Sequence, residues 1–342
     1  MGIVTGIDKV DVPVEVLVLS KSDIEQLLTY KDVLEALDEV WKAYGNGEVV
    51  QAQKESILVG PHEEHNTCTS TPTYLKKMGT QGRVGTLGIK WITIYQNPMP
   101  GIPKFWGSII VLNQADNGQP FAIMDATSIT NIHTASNSAS GAKYLAKKNS
   151  SLIAMIGCGT EARTHLAAFS ELFSLSVVKV YDIRPEAMHK YREEMAELFK
   201  VEVMPTASAM EAVEGADIIC MMTTSRKPVV LEPWVPTGSF VAGIVGFCDL
   251  DPQLSRKADK WVVGYQSTDE KRLQMAGFGD NDLSYIYANM GQIATGAKPG
   301  RENDRERIVY THAGAGIHDI TTALVAYNKA VKQGVGTKIR LA

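Results

Sequence analysis

Hydrophobic residues recur at helical spacing in two segments near the start of the chain. Ser20 opens a helix-capping sequence, and Ile24, Leu27 and Leu28 form a short amphipathic face behind it. A second helix is predicted over Tyr30–Gly45, because apolar residues recur there every three or four positions until glycine and asparagine end the pattern. Two amphipathic helices are therefore expected to precede the first sheet.

Between residues 49 and 124 the pattern changes to alternating or continuously apolar runs of strand length. Gly, Pro and Asn separate these runs, and Asp116-Asn117-Gly118 is typical of a hairpin turn. The predicted strands are Glu55–Val59, Thr69–Lys76, Thr86–Tyr95, Trp106–Asn113 and Pro120–Met124. A helix rich in Ala, Ser and Thr is predicted over residues 127–148, and it leads from this sheet-rich domain into the next.

From residue 152 onwards, strand-like and helix-like segments alternate. The predicted strands cover residues 152–156, 177–181, 201–204, 216–222, 239–245, 260–264 and 307–311. Helices are predicted over 186–199 and 207–213, and a last helix over 320–332 precedes a short tail. Such alternation is typical of a parallel, doubly wound sheet.

The segment between the first two of these strands carries the clearest chemical signal. Gly157-Cys158-Gly159-Thr160-Glu161-Ala162 follows the first strand directly, and Asp182 ends the second. This order is typical of a dinucleotide-binding unit, in which the first glycine permits a tight turn and the second lets the backbone approach a pyrophosphate. Ala162 lets the helix pack closely on the strand, and the phosphates are expected at the helix N-terminus, beside Thr160 and Glu161.

Asp182 stands about where a carboxylate accepts hydrogen bonds from both ribose hydroxyls. Because a carboxylate there repels a 2′-phosphate, Asp182 favours NAD as the cofactor. Arg184 leaves NADP as an alternative, since a guanidinium can face that phosphate. Thr223, Thr224 and Ser225 end a later predicted strand and are expected to border the ribose of the cofactor; the alternative is a routine strand-to-turn cap.

Composition limits the class of protein. The chain has 342 residues, enough for two domains, and its 21% charged and 44% hydrophobic residues are typical of a soluble globular protein. A net charge of −4 without a basic stripe argues against a nucleic-acid partner, and no apolar run is long enough to cross a membrane. Four scattered cysteines and an N-terminus unlike a signal peptide favour a reduced, cytoplasmic protein. No metal site is predicted, because His62 and His65 share a polar loop with no third ligand nearby.

Several segments beyond the glycine turn resemble the ornithine cyclodeaminase/μ-crystallin family. They are Leu87-Gly-Ile-Lys-Trp91, 118–126, 129–135, Tyr144-Leu-Ala146, Lys298-Pro-Gly-Arg301 and 314–319. The resemblance implies the fold class α/β, with a Rossmann-type doubly wound parallel sheet domain and a mixed α+β domain for substrate binding and dimerisation. It implies a substrate domain over residues 1–134, completed by 320–342, an NAD(P)-binding domain over 135–319, and a homodimer formed through the substrate domain.

The family binds a substrate carboxylate with cationic side chains, and three positions of this chain correspond to them. Lys90 matches the family lysine, which implies a role in substrate binding and catalysis; the alternative is a lysine whose stem extends to a sheet edge. Lys54 replaces a family arginine, so the position keeps its charge but loses the bidentate fork. His133 replaces a second arginine, and can bind substrate and act as an acid or base; the alternative is a packed residue at a helix start.

The resemblance also concerns two acidic positions. Asp319 matches a family residue near the nicotinamide and is expected to relay a proton, while His318 replaces the usual glutamine. The cyclodeaminase branch has an aspartate that handles the amine in the loop after the strand ending near Gly246, and no acid occupies that position here. Asp249, just beyond the shortened loop, is expected either to reach into the site or to cap a helix.

These residues imply an NAD(P)-dependent oxidoreductase acting on a small, amino-acid-derived substrate. It would transfer hydride to or from a C=N or C=O carbon, as an imine or ketimine reductase or an amino-acid dehydrogenase does. One alternative is an ornithine cyclodeaminase-type lyase that recycles NAD in each turnover, although the missing loop acid counts against it. A second is a crystallin-like, NADPH-dependent ligand-binding protein without turnover.

Overall fold

The structure is a computed structural model that describes residues 13–59, 66–80, 82–95, 101–244 and 246–341. The elements of the first part of the chain are β1 (Glu15–Leu19), α1 (Lys21–Leu27), α2 (Tyr30–Gly45), β2 (Val49–Gln51), β3 (Glu55–Leu58), β4 (Asn66–Leu75), β5 (Thr86–Tyr95), β6 (Phe105–Gln114), β7 (Pro120–Asp125) and α3 (Thr127–Leu145). Strands β8 to β15 and the helices between them form the second part: β8 (Leu152–Ile156), α4 (Thr160–Ser170), β9 (Val177–Tyr181), α5 (Pro185–Phe199), β10 (Glu202–Pro205), α6 (Ala209–Val213), β11 (Ile218–Met221), β12 (Phe240–Ile244), α7 (Pro252–Lys257), β13 (Lys260–Val263), α8 (Gln266–Met275), α9 (Asp280–Leu283), β14 (Ile286–Asn289), α10 (Met290–Ala294) and β15 (Ile308–His312). The chain then ends with α11 (Gly316–Gln333) and β16 (Thr337–Arg340).

The first sheet is mixed, with the order β16-β1-β7-β6-β5-β4-β2, and β3 also pairs with β4. Only β1 and β7 run parallel among its described pairs; the others are antiparallel. The turn at Asp116-Asn117-Gly118 joins β6 to β7, and Gly118 has φ +75°, as a tight turn of this kind requires. The sequence did not predict β1 or β16, although both ends of the described chain meet in this pair.

The second sheet has the order β10-β9-β8-β11-β12-β15-β13-β14, and every neighbouring pair is parallel. The prediction of a parallel, doubly wound sheet is therefore confirmed. In such a sheet, ligands bind beyond the carboxyl ends of the strands. The glycine turn after β8 and the segment after β15 lie at this same edge, three strand spacings or about 14 Å apart.

Two helix boundaries differ from the predicted ones by three residues or more. Helix α3 ends at Leu145 rather than Lys148, because Ala146 takes an extended conformation. Helix α11 begins at Gly316, four residues before the predicted start, and so includes His318 and Asp319 in its first turn. The early start has a local cause, since the His318 ring accepts the backbone N–H of Ala315 and caps the helix.

Helix α3 connects the two parts and is buried along most of its length, from His133 to Ala142. It packs against α2, α4, α11 and β15. Its small side chains permit this close packing: a Cβ added at Gly141 would lie 2.5 Å from the Tyr310 ring. Polar side chains on α3 are therefore held in a dry region between the two sheets.

Candidate active site

The nucleotide-binding turn has the geometry that its glycines require. Gly157 has φ +99°, and a Cβ there would lie 3.0 Å from the Met222 carbonyl oxygen. Gly159 is the N-cap of α4, and a Cβ added to it would meet no described atom within 4 Å. Open space at Gly159 and the N–H groups of the first turn of α4 fit a pyrophosphate. Ala162 is fully buried, as close packing of helix on strand requires.

Asp182 and Arg184 contact each other beside this turn. Asp182 accepts a hydrogen bond from the Cys158 N–H at 3.0 Å, and its other oxygen accepts from the Arg184 N–H at 3.0 Å and Nε at 3.2 Å. Partial burial opposes ionisation, but these hydrogen bonds hold the pKa of Asp182 below its usual value. The charged Asp182 therefore stands at the end of β9, and the exposed Arg184 side chain is paired with it.

Thr223 is held against the turn by a carboxylate from a distant part of the chain. Its N–H and hydroxyl both donate to Asp249 Oδ2, at 3.1 and 2.9 Å. Thr223 Oγ1 in turn accepts from the Ser225 N–H, whose own hydroxyl donates to the Lys227 carbonyl. Ser225 thus makes the contacts expected of a strand-to-turn cap, which was the alternative prediction. Thr223 lies beside the glycine turn, because its Cγ2 would be 3.5 Å from a Cβ added at Gly157.

The prediction that Asp249 caps a helix is wrong. Its buried carboxylate binds Thr223 and caps no helix. The N-cap of α7 is Asp251, which accepts from the Gln253 N–H at 2.9 Å. Burial raises the pKa of Asp249. Asp249 and Thr223 each follow a predicted strand, and these two strands are parallel neighbours in the second sheet. The sequence therefore contained a hint that the two residues are close, but only the structure shows that they bind each other.

A second group of polar side chains lies where β5, α3 and α11 meet. Lys90 Nζ donates to Asp319 Oδ1 at 2.7 Å, and His133 Nε2 lies 2.7 Å from the same oxygen. All three residues are at least 95% buried. Burial opposes ionisation of Asp319, but Lys90 and His133 hold its pKa well below the ordinary value. The structure therefore brings the three residues predicted for catalysis into one hydrogen-bonded cluster, which we call the Lys90–Asp319–His133 cluster.

The alternation of β5 explains how a lysine is placed within an apolar run. Lys90 lies on the face that α11 covers, together with Gly88, whose close neighbour is Ile320. Leu87, Ile89 and Trp91 point to the opposite face, where Leu87 and Trp91 are exposed. The alternative of a lysine that extends to the sheet edge is thus not what the structure shows, because the ammonium is buried against Asp319.

Lys54 lies near this cluster but has no carboxylate partner within ion-pair distance among the described residues. Its Nζ is 3.5 Å from the Gly314 carbonyl oxygen. Burial lowers the pKa of Lys54 to about 8, and repulsion by Lys90 adds to the effect, while Asp319 opposes it. Lys54 is therefore a cation at neutral pH that loses its proton as the pH rises through about 8.

Gln51, at the end of β2, links the first sheet to α8 and α11. Its amide oxygen accepts the Ile317 N–H at 3.1 Å, and its amide nitrogen donates to Thr268 Oγ1 at 3.1 Å. The N-terminus of α11 is thereby fixed against the first sheet. The Lys90–Asp319–His133 cluster accordingly lies at the carboxyl edge of the second sheet, on which the nucleotide-binding turn also lies.

The structure also shows polar residues that sequence reasoning missed. Asp269 is buried and accepts the Gly264 and Ala313 N–H groups, and burial raises its pKa to about 7. His165, Ser138 and His312 form a buried chain of hydrogen bonds. His62 and His65 lie outside the described residues. Within the described ranges no three His, Cys, Asp or Glu side chains are grouped as metal ligands, and no helix there is long and apolar enough to span a membrane.

A parallel sheet with this glycine turn defines a dinucleotide-binding α/β protein. The chain belongs to the ornithine cyclodeaminase/mu-crystallin family, whose model matches residues 14–334. It is 31% identical over 337 residues to an alanine dehydrogenase of Archaeoglobus fulgidus, covering 95% of this chain and 98% of that protein. The predicted family and fold class are confirmed.

Two solved structures are similar over nearly the whole chain. One is Thermococcus litoralis Delta(1)-pyrroline-2-carboxylate reductase in complex with NADH and L-proline, with 33% identity and a TM-score of 0.82, covering 94% of this chain and all of that one. The other is an archaeal alanine dehydrogenase dimer with bound NAD, with 30% identity and a TM-score of 0.84, covering 96% of this chain and all of that one. Both of these structures contain a bound nicotinamide dinucleotide.

Proposed function

We propose that this protein is an NAD-dependent oxidoreductase that interconverts a small amino acid and the corresponding imine or 2-oxo acid. The observation that carries the proposal is the Lys90–Asp319–His133 cluster at the same sheet edge as the nucleotide-binding turn. The relatives with alanine dehydrogenase and pyrroline-2-carboxylate reductase activity support it. We further propose that residues 1–134 and 320–342 bind substrate, and that residues 135–319 bind the cofactor.

The open space at Gly159 and the charged Asp182 fit the pyrophosphate and the ribose of NAD. Gly157, Gly159, Thr160, Glu161 and Ala162 would hold the phosphate end. When bound, the nicotinamide supplies or accepts the hydride. Thr223, Thr224, Ser225 and Arg184 are proposed to border the ribose, with NADP as the weaker alternative because Arg184 is paired with Asp182.

The residues of the cluster would orient the substrate and handle its protons. Lys90 donates a charge-assisted hydrogen bond to the substrate carboxylate or to the polarised C=O or C=N group. Lys54 lies beside it and supplies a second positive charge. His133 accepts or gives a proton, and Asp319 holds both Lys90 and His133 in place through one carboxylate oxygen. The buried cluster excludes water and strengthens each of these interactions.

The direct test is the change in reduced nicotinamide when the protein is given NADH and a panel of cyclic imines, or of 2-oxo acids with ammonia. Net oxidation of NADH supports the proposal. Ammonia release from a diamino acid without net change would instead indicate a lyase, and tight ligand binding with neither would indicate a binding protein. A protein that takes up neither NADH nor NADPH in equilibrium dialysis would contradict all three.

The variant Lys90→Met tests whether Lys90 acts on the substrate rather than on cofactor binding or folding. Turnover should be lost while the affinity for NAD stays near that of the wild type, because Lys90 belongs to the substrate side. Lys104→Met is the matched control, since Lys104 is exposed. If Lys90→Met also abolishes NAD binding without unfolding the protein, the assignment of the substrate side is wrong.

The outer face of the first sheet supports the proposal of a homodimer. Trp91 and Ile109 are direct cross-strand neighbours on this face and are 45% and 47% exposed. A face with several exposed large apolar side chains is typical of an association surface, and an archaeal relative is described as a dimer. Ile109→Lys should shift the sedimentation coefficient to that of a monomer. Val331→Lys, at an exposed apolar position of α11, should leave it unchanged.

The four cysteines all lie in described parts of the chain and are free thiols. This supports the proposal that the protein works in a reducing compartment such as the cytoplasm.

A further inference from the structure

A buried chain of hydrogen bonds leads away from the Lys90–Asp319–His133 cluster. Ser138 Oγ on α3 lies 2.9 Å from His165 Nε2 on α4 and 2.7 Å from His312 Nε2 at the end of β15. His165 Nδ1 lies 2.6 Å from the Glu161 carbonyl oxygen. His165, Ser138 and His312 are each at least 99% buried, so no bulk water reaches these contacts.

The positions of the protons in this chain follow from one backbone carbonyl. Burial lowers the pKa of His165 to about 4 and that of His312 well below its ordinary value, so both rings are neutral. The Glu161 carbonyl can only accept, so His165 carries its proton on Nδ1 and its Nε2 is bare. The Ser138 hydroxyl must then donate to His165 and accept from His312, whose proton is therefore on Nε2. His312 Nδ1 is left as a bare acceptor.

At the His312 end of this hydrogen-bond chain and in the rings of His133 and His318, three nitrogens have no hydrogen-bond partner among the described residues. They are His312 Nδ1, His133 Nδ1 and His318 Nε2. His318 accepts the Ala315 N–H at Nδ1, and burial keeps the ring neutral, so its Nε2 carries a proton. His133 uses Nε2 toward Asp319, and its Nδ1 is bare in the neutral ring. One donor and two acceptors are thus buried together without partners.

The His133 and His318 rings lie close to each other, and His312 lies two residues from Gly314, a neighbour of His133. The His133 and His318 ring centroids are 6.0 Å apart, and a Cβ at Gly314, two residues beyond His312, would lie 3.8 Å from His133 Cε1. His133 and His318 both contribute to the lowered pKa of His312. A water molecule accepts from one donor and donates to two acceptors, which is the set of partners that these nitrogens offer. Buried waters typically make about three such bonds to otherwise unpaired groups.

We propose that a single water molecule bound by His133, His312 and His318 connects the candidate active site to the Ser138 chain, and that this chain carries a proton released by the substrate to Glu161. The proposal rests on the proposed function, because oxidation of an ammonium-bearing substrate must release a proton from a dry site. His312, Ser138 and His165 would then take part in proton transfer without touching the substrate.

The transfer balances bond by bond. The N–H bond of the substrate ammonium breaks as the water accepts its proton, and the water gives one of its protons to His312 Nδ1. His312 loses its Nε2 proton to Ser138, and Ser138 gives its hydroxyl proton to His165 Nε2. His165 loses its Nδ1 proton to the Glu161 carboxylate, and no electrons move. The net result is one proton moved from the substrate to Glu161, and reduction runs the same route in reverse.

Glu161 has the properties that the end of such a route needs. Its Oε2 lies 3.6 Å from His165 Nδ1 and has no hydrogen-bond partner among the described residues. Burial raises the pKa of Glu161 to about 7, so it can take up and release a proton near neutral pH. Its side chain is 31% exposed, which lets it exchange that proton with solvent.

The first test does not depend on activity. A crystal structure of the holoenzyme at high resolution should show one water within hydrogen-bond distance of His133 Nδ1, His312 Nδ1 and His318 Nε2. Nitrogen-15 NMR should find His165 as the Nδ1–H tautomer and His312 as the Nε2–H tautomer. Direct contact among the three nitrogens, or the opposite tautomer at either ring, overturns the proposal whether or not the protein proves to be an oxidoreductase.

The second test is kinetic and uses Ser138→Ala with Ser136→Ala as the matched control, since Ser136 is a buried α3 serine without a partner among the described residues. Ser138→Ala should lower kcat about tenfold or more and increase its solvent isotope effect, while KM and NAD affinity stay within about twofold of wild type. Ser136→Ala should leave kcat unchanged. If both variants behave alike, the proposal is wrong.

A variant at the Glu161 end of the hydrogen-bond chain keeps the proposal testable if Ser138→Ala fails to fold. Glu161→Gln keeps the shape of the side chain but cannot take up a proton, so it should reproduce the larger solvent isotope effect. Dissociation constants for NAD, measured in parallel, separate this effect from a change in cofactor binding. A normal isotope effect in Glu161→Gln overturns the route. Absence of turnover in the wild type would defeat the proposed function, while the crystallographic and NMR results would still decide whether the water and the chain exist.

Discussion

The lowered pKa of Lys54 predicts how binding of an anionic substrate changes with pH. A pKa of about 8 leaves about 90% of the Lys54 side chains protonated at pH about 7, but only about 10% at pH about 9. The sign follows directly, because raising the pH removes the positive charge that faces the substrate carboxylate. A charge-assisted hydrogen bond contributes about 1.5–3 kcal/mol, so affinity for the carboxylate should fall about 10- to 150-fold between fully charged and fully neutral Lys54.

The assay is the dissociation constant of a small 2-oxo acid for the complex of protein and NADH, followed by the fluorescence of the bound nucleotide. A 2-oxo acid has no group of its own that titrates in this range. Lys54→Arg is the matched variant, because a guanidinium stays charged throughout. Affinity of the wild type should fall above pH about 8, whereas that of Lys54→Arg should stay constant. Parallel curves for the two proteins would refute the role given to Lys54.

Three further results are expected. Lys90→Met and Asp319→Asn should each lower the free energy of unfolding by about 3–5 kcal/mol, because each leaves a buried charge without its partner, and the double variant should lose clearly less than their sum in denaturant unfolding. Asp249→Asn should weaken NAD binding about tenfold by calorimetry, since an amide cannot accept both Thr223 donors as well as a carboxylate does, while Asp251→Asn should not. Asp182→Ala should shift the ratio of NAD to NADP dissociation constants about tenfold towards NADP, and an unchanged ratio would show that Asp182 does not select the cofactor.

The sequence predicted the elements whose signals are local. Helix α2 and strand β5 have the predicted bounds, because the first combines a 3.6-residue period with a capping residue and a glycine end, and the second is a ten-residue run rich in β-branched and aromatic residues. Strands β1 and β16 escaped prediction because each is short and is stabilised by partners distant in the chain. The boundary of α11 was missed because a side chain, His318, supplies its cap.

The residues of the candidate site also fall into those with a local sequence signal and those without one. The glycine turn and Asp182 were predicted from spacing alone, since one βαβ unit contains them. The convergence of Lys90, His133 and Asp319 was expected only from the family resemblance, because these residues come from three separate elements. The contacts of Asp249 and Ser138 could not be predicted, since each depends on which neighbours the folded sheet brings together.

Strand β5 serves the two faces of the first sheet at once. Its even-numbered positions include the buried lysine, and its odd-numbered positions include Leu87 and Trp91 on the apolar outer side. Insertion or deletion of a single residue within β5 ahead of position 90 would invert this parity, turning the ammonium outward and the large side chains inward. Length changes within β5 are therefore excluded, whereas a point substitution on one face can leave the other face unchanged.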